Sequence, residues 1–131
     1  MKANIVNEIT FYLSNQPGEL YRVAKAFSDA RVDIKGLLVS EGFGKSVVRV
    51  VVDSEAKALE ILKGMGINEI SKTPVLAIRM PSKTGVIAEL SGKMAKANIN
   101  MENIYVTEST QGDTIAYVTV EDVEEAARIF S

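Results

Sequence analysis

The sequence predicts an α+β fold of two ferredoxin-like βαββαβ repeats, the second of which lacks its last strand. The first observation behind this prediction is an internal repeat, because residues of the first half of the chain recur 67 positions later. The matching pairs at this offset are Gly18 and Gly85, Ala30 and Ala97, Val39 and Val106, Glu41 and Glu108, and Val51 and Val118. One extra residue near the end of the second copy then aligns Val52 with Val120. A fixed offset of about half the chain indicates tandem domains, which we assign to residues 1–73 and 74–131.

The second observation is the way the hydrophobic period changes along the first repeat. The opening strand alternates apolar and polar residues, the apolar ones being Ile9, Phe11 and Leu13. Pro17 and Gly18 interrupt this strand, because proline fixes φ and glycine accepts positive values. The period then becomes helical, with apolar residues at Leu20, Val23, Ala24, Phe27 and Ala30.

Two strands, a helix and a short strand complete the first repeat. Runs rich in β-branched residues predict strands over 34–40 and 46–52, joined by a hairpin. Asp53 or Ser54 is expected to cap the second helix, and residues 67–71 predict a fourth strand. The order β-α-β-β-α-β is that of the ferredoxin-like arrangement, an antiparallel sheet with both helices on one face.

The second repeat follows the same order but ends early. Strands are predicted at 75–80, 101–107 and 114–120, with a turn around Gln111–Asp113 and a closing helix from Glu121. The apolar stripe of its first helix consists of Ile87, Leu90, Met94 and Ala97. No segment remains for a fourth strand, so the first strand of this repeat has an open edge. Open edges are usually paired or blunted, so we expect another part of the chain, or a second molecule, to pair there; a tolerated short edge or a truncated chain are the alternatives.

Composition excludes several classes of function. The 131 residues contain no histidine and no cysteine, which removes imidazole bases, thiolate nucleophiles and nitrogen or sulfur metal ligands. We therefore expect no enzyme activity, no metal and no cofactor. The net charge of −2 predicts no nucleic-acid partner. No apolar run approaches the ~20 residues that span a membrane, and the polar N-terminus does not read as a secretory signal, so a cytoplasmic protein is expected.

The segment Asn15–Leu20, with the sequence Asn-Gln-Pro-Gly-Glu-Leu, carries a family resemblance. It resembles the ligand-binding loop of ACT domains, the small regulatory modules of amino-acid metabolism, as does the run Val32–Ile34 that enters the next strand. The likeness covers almost the whole chain, once in each repeat. It implies that a small amino acid is held at the interface between ACT domains, where the first loop of one domain meets the second strand of a neighbour.

The residue types in these segments suit an amino-acid ligand. Gly18 allows backbone N–H groups to approach a ligand closely, and the following helix N-terminus favours a carboxylate. Asn15 offers a donor and an acceptor, and Asp33 can take an ammonium group through charge-assisted hydrogen bonds. The candidate residues of the first repeat are Asn15, Gln16, Pro17, Gly18, Asp33 and Ile34. The structural alternative is that Asn15 closes the turn or caps the helix, and that Asp33 ends it.

The second repeat departs from this pattern. Its candidate residues are Ser82, Gly85, Asn100 and Met101. Ser82 replaces the longer Asn15, and Asn100 keeps the polarity of Asp33 without its charge. These changes argue against two equivalent sites, and they suggest that the two repeats divide the work.

Three functions are compatible with these observations. The first is an amino-acid-binding regulatory protein, most simply a homodimer, that exerts allosteric control over a separate metabolic enzyme. The second is the regulatory subunit of an amino-acid biosynthetic enzyme such as acetohydroxyacid synthase, whose opening segment is similar. The third is a structural interaction domain without a ligand. Saturable amino-acid binding separates the first two from the third, and a stoichiometric partner separates the first from the second.

Overall fold

A computed structural model, described for residues 1–108 and 112–130, divides the chain into two compact units. One unit is Asn7–Thr73, and the other combines Met1–Val6 with Pro74–Ser131. The elements in chain order are β1 (Lys2–Ser14), α1 (Glu19–Asp29), β2 (Ile34–Gly42), β3 (Lys45–Val52), α2 (Glu55–Gly64), β4 (Ile70–Pro81), α3 (Val86–Lys96), β5 (Asn103–Glu108), β6 (Asp113–Thr119) and α4 (Val123–Arg128). The predicted α+β fold with repeated βαββ order is confirmed.

The unit Asn7–Thr73 has the strand order β2-β3-β1-β4. Its strands β1 and β3 are antiparallel, with Phe11 opposite Val48. The alternating residues of β1 place one face of the sheet against α1 and α2, where Phe11, Phe27 and Leu62 share a single buried cluster. The period-2 and helical patterns of the sequence therefore correspond to the two layers of this unit.

The other unit has the strand order β1-β4-β6-β5, in which the first residues of the chain supply the fourth strand. The apolar side of its sheet packs on Leu90 and Met94 of α3, and Met1 and Ala3 pack against the same cluster. The edge that the sequence left open is thus covered by another part of the same chain. This pairing satisfies backbone groups that an edge strand would otherwise expose.

Two strands are longer than predicted. Parts of the predicted strands 67–71 and 75–80 belong to one continuous strand, β4, which begins at Ile70, so residues 67–69 are not in a strand. Strand β1 begins at Lys2 instead of near Ile9. Pro74 does not interrupt β4, because its fixed φ lies in the extended region. A proline in the sequence usually predicts the end of a strand. A strand can nevertheless include a proline at a position where its missing N–H is not needed for pairing.

The strand register corrects one detail of the internal repeat. Ile9 lies opposite Val50 in the first unit, and Leu76, which is 67 positions after Ile9, lies opposite Val118 in the second. Val50, and not Val51, is therefore the counterpart of Val118. The extra residue of the second repeat belongs to the connection between β5 and β6, where loop length varies at little structural cost. Of the predicted turn there, Gln111 lies outside the described residues.

The ends of two other elements differ slightly from the prediction. Strand β5 begins at Asn103 instead of residue 101, and α4 begins at Val123. Asp122 is the N-cap of α4, where its carboxylate accepts a hydrogen bond from the N–H of Glu125 at 3.1 Å. An aspartate at this position satisfies one of the free N–H groups of the first turn.

Glu55 joins three elements of the unit Asn7–Thr73. Its carboxylate accepts a hydrogen bond from Asn7 Nδ2 at 3.1 Å and lies 3.2 Å from Lys72 Nζ. The hydrogen bond from Asn7, followed by the interactions with Lys72, lowers the pKa of Glu55 below its ordinary value. The start of α2 is therefore held to both β1 and β4, the strands that carry the ends of this unit.

The hairpin between β2 and β3 contains an unusual residue. Its two-residue turn consists of Phe43 and Gly44, both with positive φ, of 55° and 77°. This is the pattern of a type I′ turn, which favours asparagine, aspartate or glycine at its first position. Phe43 is fully exposed, so its ring gains no packing in exchange for the left-handed backbone.

Replacing Phe43 with asparagine is expected to stabilise the protein by about 0.5–1 kcal/mol, because asparagine tolerates the left-handed region better than phenylalanine. The free energy of unfolding measured in urea tests this expectation. Phe43→Ala is the matched control, since alanine removes the ring but retains the backbone cost. A stability gain of equal size in both variants would show that the exposed ring, and not the backbone, is the source of the effect.

Candidate ligand-binding clefts

The loop between β1 and α1 has the backbone that the sequence predicted. Gly18 has a φ of 89° and is the N-cap of α1, without a side-chain capping bond. The N–H of Gln16 donates to the carbonyl of Ser14 at 2.9 Å, which turns the chain out of β1. The first N–H groups of a helix have no partner within the helix. Because glycine has no side chain to fill this place, the start of α1 remains open to a ligand.

Asn15 lies on the rim of this loop and does not cap the helix. Its side chain is exposed, and its Oδ1 accepts a hydrogen bond from Ser46 Oγ at 3.4 Å. Gln16 and Pro17 are exposed beside it. Asn15 therefore does not cap the helix, because Gly18 occupies the N-cap position of α1.

The corresponding loop of the other unit is built in the same way. Gly85 has a φ of 89° and is the N-cap of α3, again without a side-chain capping bond. Ser82 Oγ donates to Glu108 Oε1 at 3.2 Å, and the N–H of Ser82 donates to the carbonyl of Gly112 at 3.1 Å. Ser82 and Glu108 line a cleft of about 480 Å³ at the start of α3.

Asp33 and Ile34 are found at the opposite end of β2. The N–H of Asp33 donates to Asp53 Oδ1 at 2.9 Å, and its own carboxylate lies 3.0 Å from Lys35 Nζ. Ile34 is partly buried against the core of its unit. Asp33 does not end α1, because that helix ends at Asp29 and the chain reverses at Arg31, whose φ is 61°.

The structure therefore separates the two predicted halves of the site within each unit. Asn15 lies near the C-terminal end of β2, whereas Asp33 directly precedes its N-terminal end. At about 3.3 Å per residue, the nine residues of β2 place these ends roughly 25 Å apart. Ser82 and Asn100 are separated in the same way, because they flank the two ends of β5.

Asn100 lines a cavity in the unit that contains β5 and β6, and Met101 packs against the core of that unit. This cavity, of about 750 Å³, is strongly acidic, since it is lined by the carboxylates of Glu102, Glu121, Asp122 and Glu125. In the described parts of the chain, no group of three or more such side chains is arranged to hold a metal ion. Asn100 thus has a cavity beside it, whereas Met101 has a structural role.

Sequence reasoning missed several residues that the structure brings to the two loops. Glu41 and Ser46 face each other across the β2–β3 ladder beside Asn15, and Glu108 and Thr114 do so beside Ser82. The signal was available, because Glu41 and Glu108 are one of the repeat pairs at the 67-residue offset. Without the strand register, nothing connected these glutamates with the loops.

None of the helices in the described residues is long and apolar enough to cross a membrane. The longest helices, α1 and α3, have 11 residues each.

Comparison with known proteins places these features in a family. Residues 75–129 match the family model of the ACT domain. A comparison with curated protein sequences gives no significant match. Among solved structures, the chain is similar to protein BT0572 from Bacteroides thetaiotaomicron, with a TM-score of 0.87 and 18% identity over 97% of this chain and 87% of that chain.

Two further structures are similar over nearly their whole length. One is the regulatory subunit of aspartate kinase from Thermus thermophilus in its ligand-free form, with a TM-score of 0.69 and 16% identity over 99% of this chain and 95% of that chain. The other is the structure of aspartokinase alpha and beta subunits, with a TM-score of 0.66 and 19% identity over 98% of this chain and 94% of that chain.

These matches define the class of protein. Residues 75–129 form an ACT domain, as the family model shows. Its whole fold is similar to that of a regulatory subunit of aspartate kinase. The predicted resemblance to ACT domains is confirmed for residues 75–129, and the fold of the whole chain agrees with it.

Proposed function

We propose that this protein is a regulatory ACT domain protein that binds a small amino acid and thereby controls a separate metabolic enzyme. The similarity to a structure described as the regulatory subunit of aspartate kinase, in a ligand-free form, supports a regulatory role. The similarity to the aspartokinase alpha and beta subunits supports association with a partner. On this proposal the protein acts in the cytoplasm and has no catalytic residues of its own.

The observation that carries the proposal is the pair of glycine-capped loops. Gly18 and Gly85 have the same left-handed φ of 89°, and each leaves a helix N-terminus without a side-chain cap. Backbone N–H groups and the helix dipole favour a carboxylate at such a place. Asn15 and Ser82 are exposed in the loops that precede these helices and offer hydrogen bonds to the rest of an amino acid.

Regulation then follows from differential binding. The ligand binds more tightly to the arrangement of domains in which all of the ligand's contacts are made, so it raises the population of that arrangement. Because the partner enzyme binds the two arrangements differently, the ligand changes the affinity for the enzyme. Strands β2 and β5 lie at the ends of the strand orders of their units. An edge strand offers unpaired backbone groups to a second copy, so we propose a homodimer in which a neighbouring ACT domain completes the site with its Asp33 or Asn100 segment.

A second candidate function is a dedicated subunit of one amino-acid biosynthetic enzyme. The same similarities favour this second function. The regulatory subunit of acetohydroxyacid synthase, an alternative from the sequence analysis, is a subunit of this kind. In that case the protein forms a stoichiometric complex with a large catalytic chain. Affinity purification from cells of its natural source, followed by measurement of the subunit ratio, separates this function from that of a free sensor.

A thermal-shift screen of the twenty amino acids tests the proposed function. One amino acid, or a few related ones, is expected to stabilise the protein by about 2.7 kcal/mol when present at ~100 times its dissociation constant. Asn15→Ala and Ser82→Ala are each expected to reduce the shift, and the double variant to abolish it. Asn68→Ala, at an exposed asparagine in another loop, is the matched control and should retain the full shift. If no amino acid stabilises the wild-type protein, the sensor function is wrong, and the alternative of a structural interaction domain stands.

A further inference from the structure

The cleft beside Ser82 has a polar end and an apolar wall. Its polar lining is formed by Ser82, Lys83, Thr84, Glu108 and Thr114, and its apolar wall includes Ile87 and Val106. All of these residues belong to the unit Met1–Val6 and Pro74–Ser131. Pockets that bind small molecules usually combine apolar walls with a few convergent polar groups. The cleft, of about 480 Å³, lies toward the small end of the usual size range for such pockets.

Glu108 dominates the chemistry of the polar end. Its Oε1 accepts a hydrogen bond from Ser82 Oγ at 3.2 Å, and Thr114 lies opposite Glu108 in the β5–β6 ladder. Among the residues that the structure describes, no lysine or arginine forms an ion pair with Glu108. A carboxylate with free acceptor capacity beside two hydroxyl groups suits a group with several N–H donors, such as an ammonium.

The apolar wall is exposed although its residues are large. Ile87 is 41% exposed and Val106 is 44% exposed. Val106 and Glu108 are two residues apart on β5, so their side chains share one face of the sheet. That face carries the unit's core, because Ala116, opposite Val106, is fully buried. Ile87 and Val106 therefore present an exposed apolar surface in the same cleft as Glu108.

The other unit carries the same set of groups. Glu41 lies opposite Ser46 in the β2–β3 ladder, and Ser46 donates to Asn15. Leu20 is 36% exposed and Val39 is 39% exposed. The unit Asn7–Thr73 thus has a carboxylate, a hydroxyl, a polar loop residue and two exposed aliphatic side chains at the positions that correspond to those of the cleft.

These groups recur in the sequence as well as in space. Four of the five correspondences have the same offset of 67 residues, namely Asn15 with Ser82, Leu20 with Ile87, Val39 with Val106, and Glu41 with Glu108. The fifth, Ser46 with Thr114, has the additional residue of the second hairpin. By contrast, Asp33 loses its charge in the second repeat, where Asn100 replaces it. An uncovered sheet edge explains why the aliphatic residues are exposed, but it does not explain a glutamate at the same place in both units.

We propose that Glu108 in this cleft, and Glu41 at the equivalent place in the other unit, holds the ammonium group of an α-amino acid that has a short aliphatic side chain. This inference rests on the proposed function and specifies the ligand class of the same loops. The ammonium donates to the glutamate, and the adjacent hydroxyl groups accept or relay further hydrogen bonds. The carboxylate lies at the N–H groups of the glycine-capped helix, and the aliphatic side chain lies on the exposed apolar pair.

The two exposed aliphatic residues of each unit, Ile87 with Val106 and Leu20 with Val39, define the selectivity for the ligand's side chain. An aliphatic side chain the size of valine or leucine covers apolar surface that is otherwise in contact with water, and each buried methylene contributes to affinity. A basic side chain gains nothing from the same wall, since a charged group loses hydration against apolar surface. A ligand without an ammonium leaves the glutamate with no partner and loses the charge-assisted hydrogen bonds.

Calorimetric titration of the full chain tests this inference with defined probes. L-valine and L-leucine are the expected ligands, and L-lysine, L-phenylalanine and 2-hydroxy-3-methylbutanoate are the comparisons. The last compound is valine with a hydroxyl in place of its ammonium. The double variant Glu41→Gln/Glu108→Gln is expected to bind valine or leucine about 10- to 100-fold more weakly than wild type, because charged hydrogen bonds are replaced by neutral ones. It should also discriminate less between valine and its hydroxy analogue.

Two control variants separate this effect from general changes of charge or folding. Glu69→Gln/Glu124→Gln removes the same charge from two exposed glutamates elsewhere in the two units and should leave affinity unchanged. Val39→Thr/Val106→Thr keeps the shape of the wall but makes it polar. It should weaken leucine binding several-fold, while the preference for the ammonium over the hydroxy analogue remains.

The outcomes distinguish failure of the inference from failure of the proposed function. Wild-type binding of valine or leucine that the Glu41→Gln/Glu108→Gln variant loses supports the inference. Undiminished binding by that variant overturns it and leaves the amino-acid sensor intact, as does a wild-type preference for lysine or phenylalanine. If wild type binds none of the twenty amino acids, the proposed function itself fails, and the inference with it.

Discussion

Replacing Phe27 with alanine is expected to lower the free energy of unfolding by about 3–5 kcal/mol, the usual range for a fully buried aromatic residue. Phe27 lies on α1 and is one of the largest buried side chains of the unit Asn7–Thr73. It packs in one cluster with Phe11 of β1 and Leu62 of α2. The loss arises because the apolar contacts disappear and the surrounding side chains only partly fill the cavity that remains.

Urea denaturation followed by far-ultraviolet circular dichroism measures this change. Tyr21→Ala is the matched control, because it truncates an aromatic residue of the same helix that is largely exposed; it should change stability by no more than about 0.5 kcal/mol. Met94→Ala, at the position 67 residues after Phe27, tests the core of the other unit and should cost about 2–5 kcal/mol. A loss below about 1 kcal/mol for Phe27→Ala would contradict the placement of this residue between sheet and helices.

Deleting residues 1–6 is expected to destabilise the unit that contains β4–β6 by roughly 3–5 kcal/mol. Each backbone hydrogen bond contributes about 0.5–1.5 kcal/mol, and the deletion removes the strand beside β4 together with the core contacts of Met1 and Ala3. The edge of β4 within this unit then becomes available for association with other chains.

Amide hydrogen exchange resolves this effect by region. Protection is expected to fall at residues 74–81 of β4 and in the adjacent β6, while β3 and α1 of the unit Asn7–Thr73 change less. A chain in which residues 2–6 are replaced by a glycine and serine linker is the control for length, and it should behave like the deletion. Unchanged protection of β4 would show that the N-terminal segment does not act as the fourth strand.

The contrast between these two predictions shows what local sequence can reveal. The burial of Phe27 follows from a helical stripe that is visible in the sequence, since side chains at three- and four-residue spacing share one helix face. The role of Met1 and Ala3 does not follow from any local pattern. A strand is stabilised by its neighbours and not by bonds within itself, so its partner must be found among distant segments.

The candidate site likewise combines features that local sequence predicts with features that depend on distant residues. The glycine turns at Gly18 and Gly85 are local features, and their positive φ is the reason that glycine is required. The pairing of Ser82 with Glu108 depends on residues 26 positions apart that meet only through the β4–β6–β5 order. The family resemblance groups the Asn15 loop of one domain with the Asp33 or Asn100 segment of a neighbouring domain, and within one unit Asn15 and Asp33 lie at opposite ends of β2.

The amino-acid sequence alone predicted two repeats, the succession of helices and strands within each, and the faces that enter each core. It did so because hydrophobic period, glycine turns and β-branched runs act through neighbouring residues. The three-dimensional structure was needed to show that residues 1–6 complete the second unit, that residues 70–81 form one strand, and that Glu41 and Glu108 lie near the two loops. The physical reason is that strand pairing and register are set by contacts between segments far apart in the chain, and the free energy of those contacts is not encoded in either segment alone.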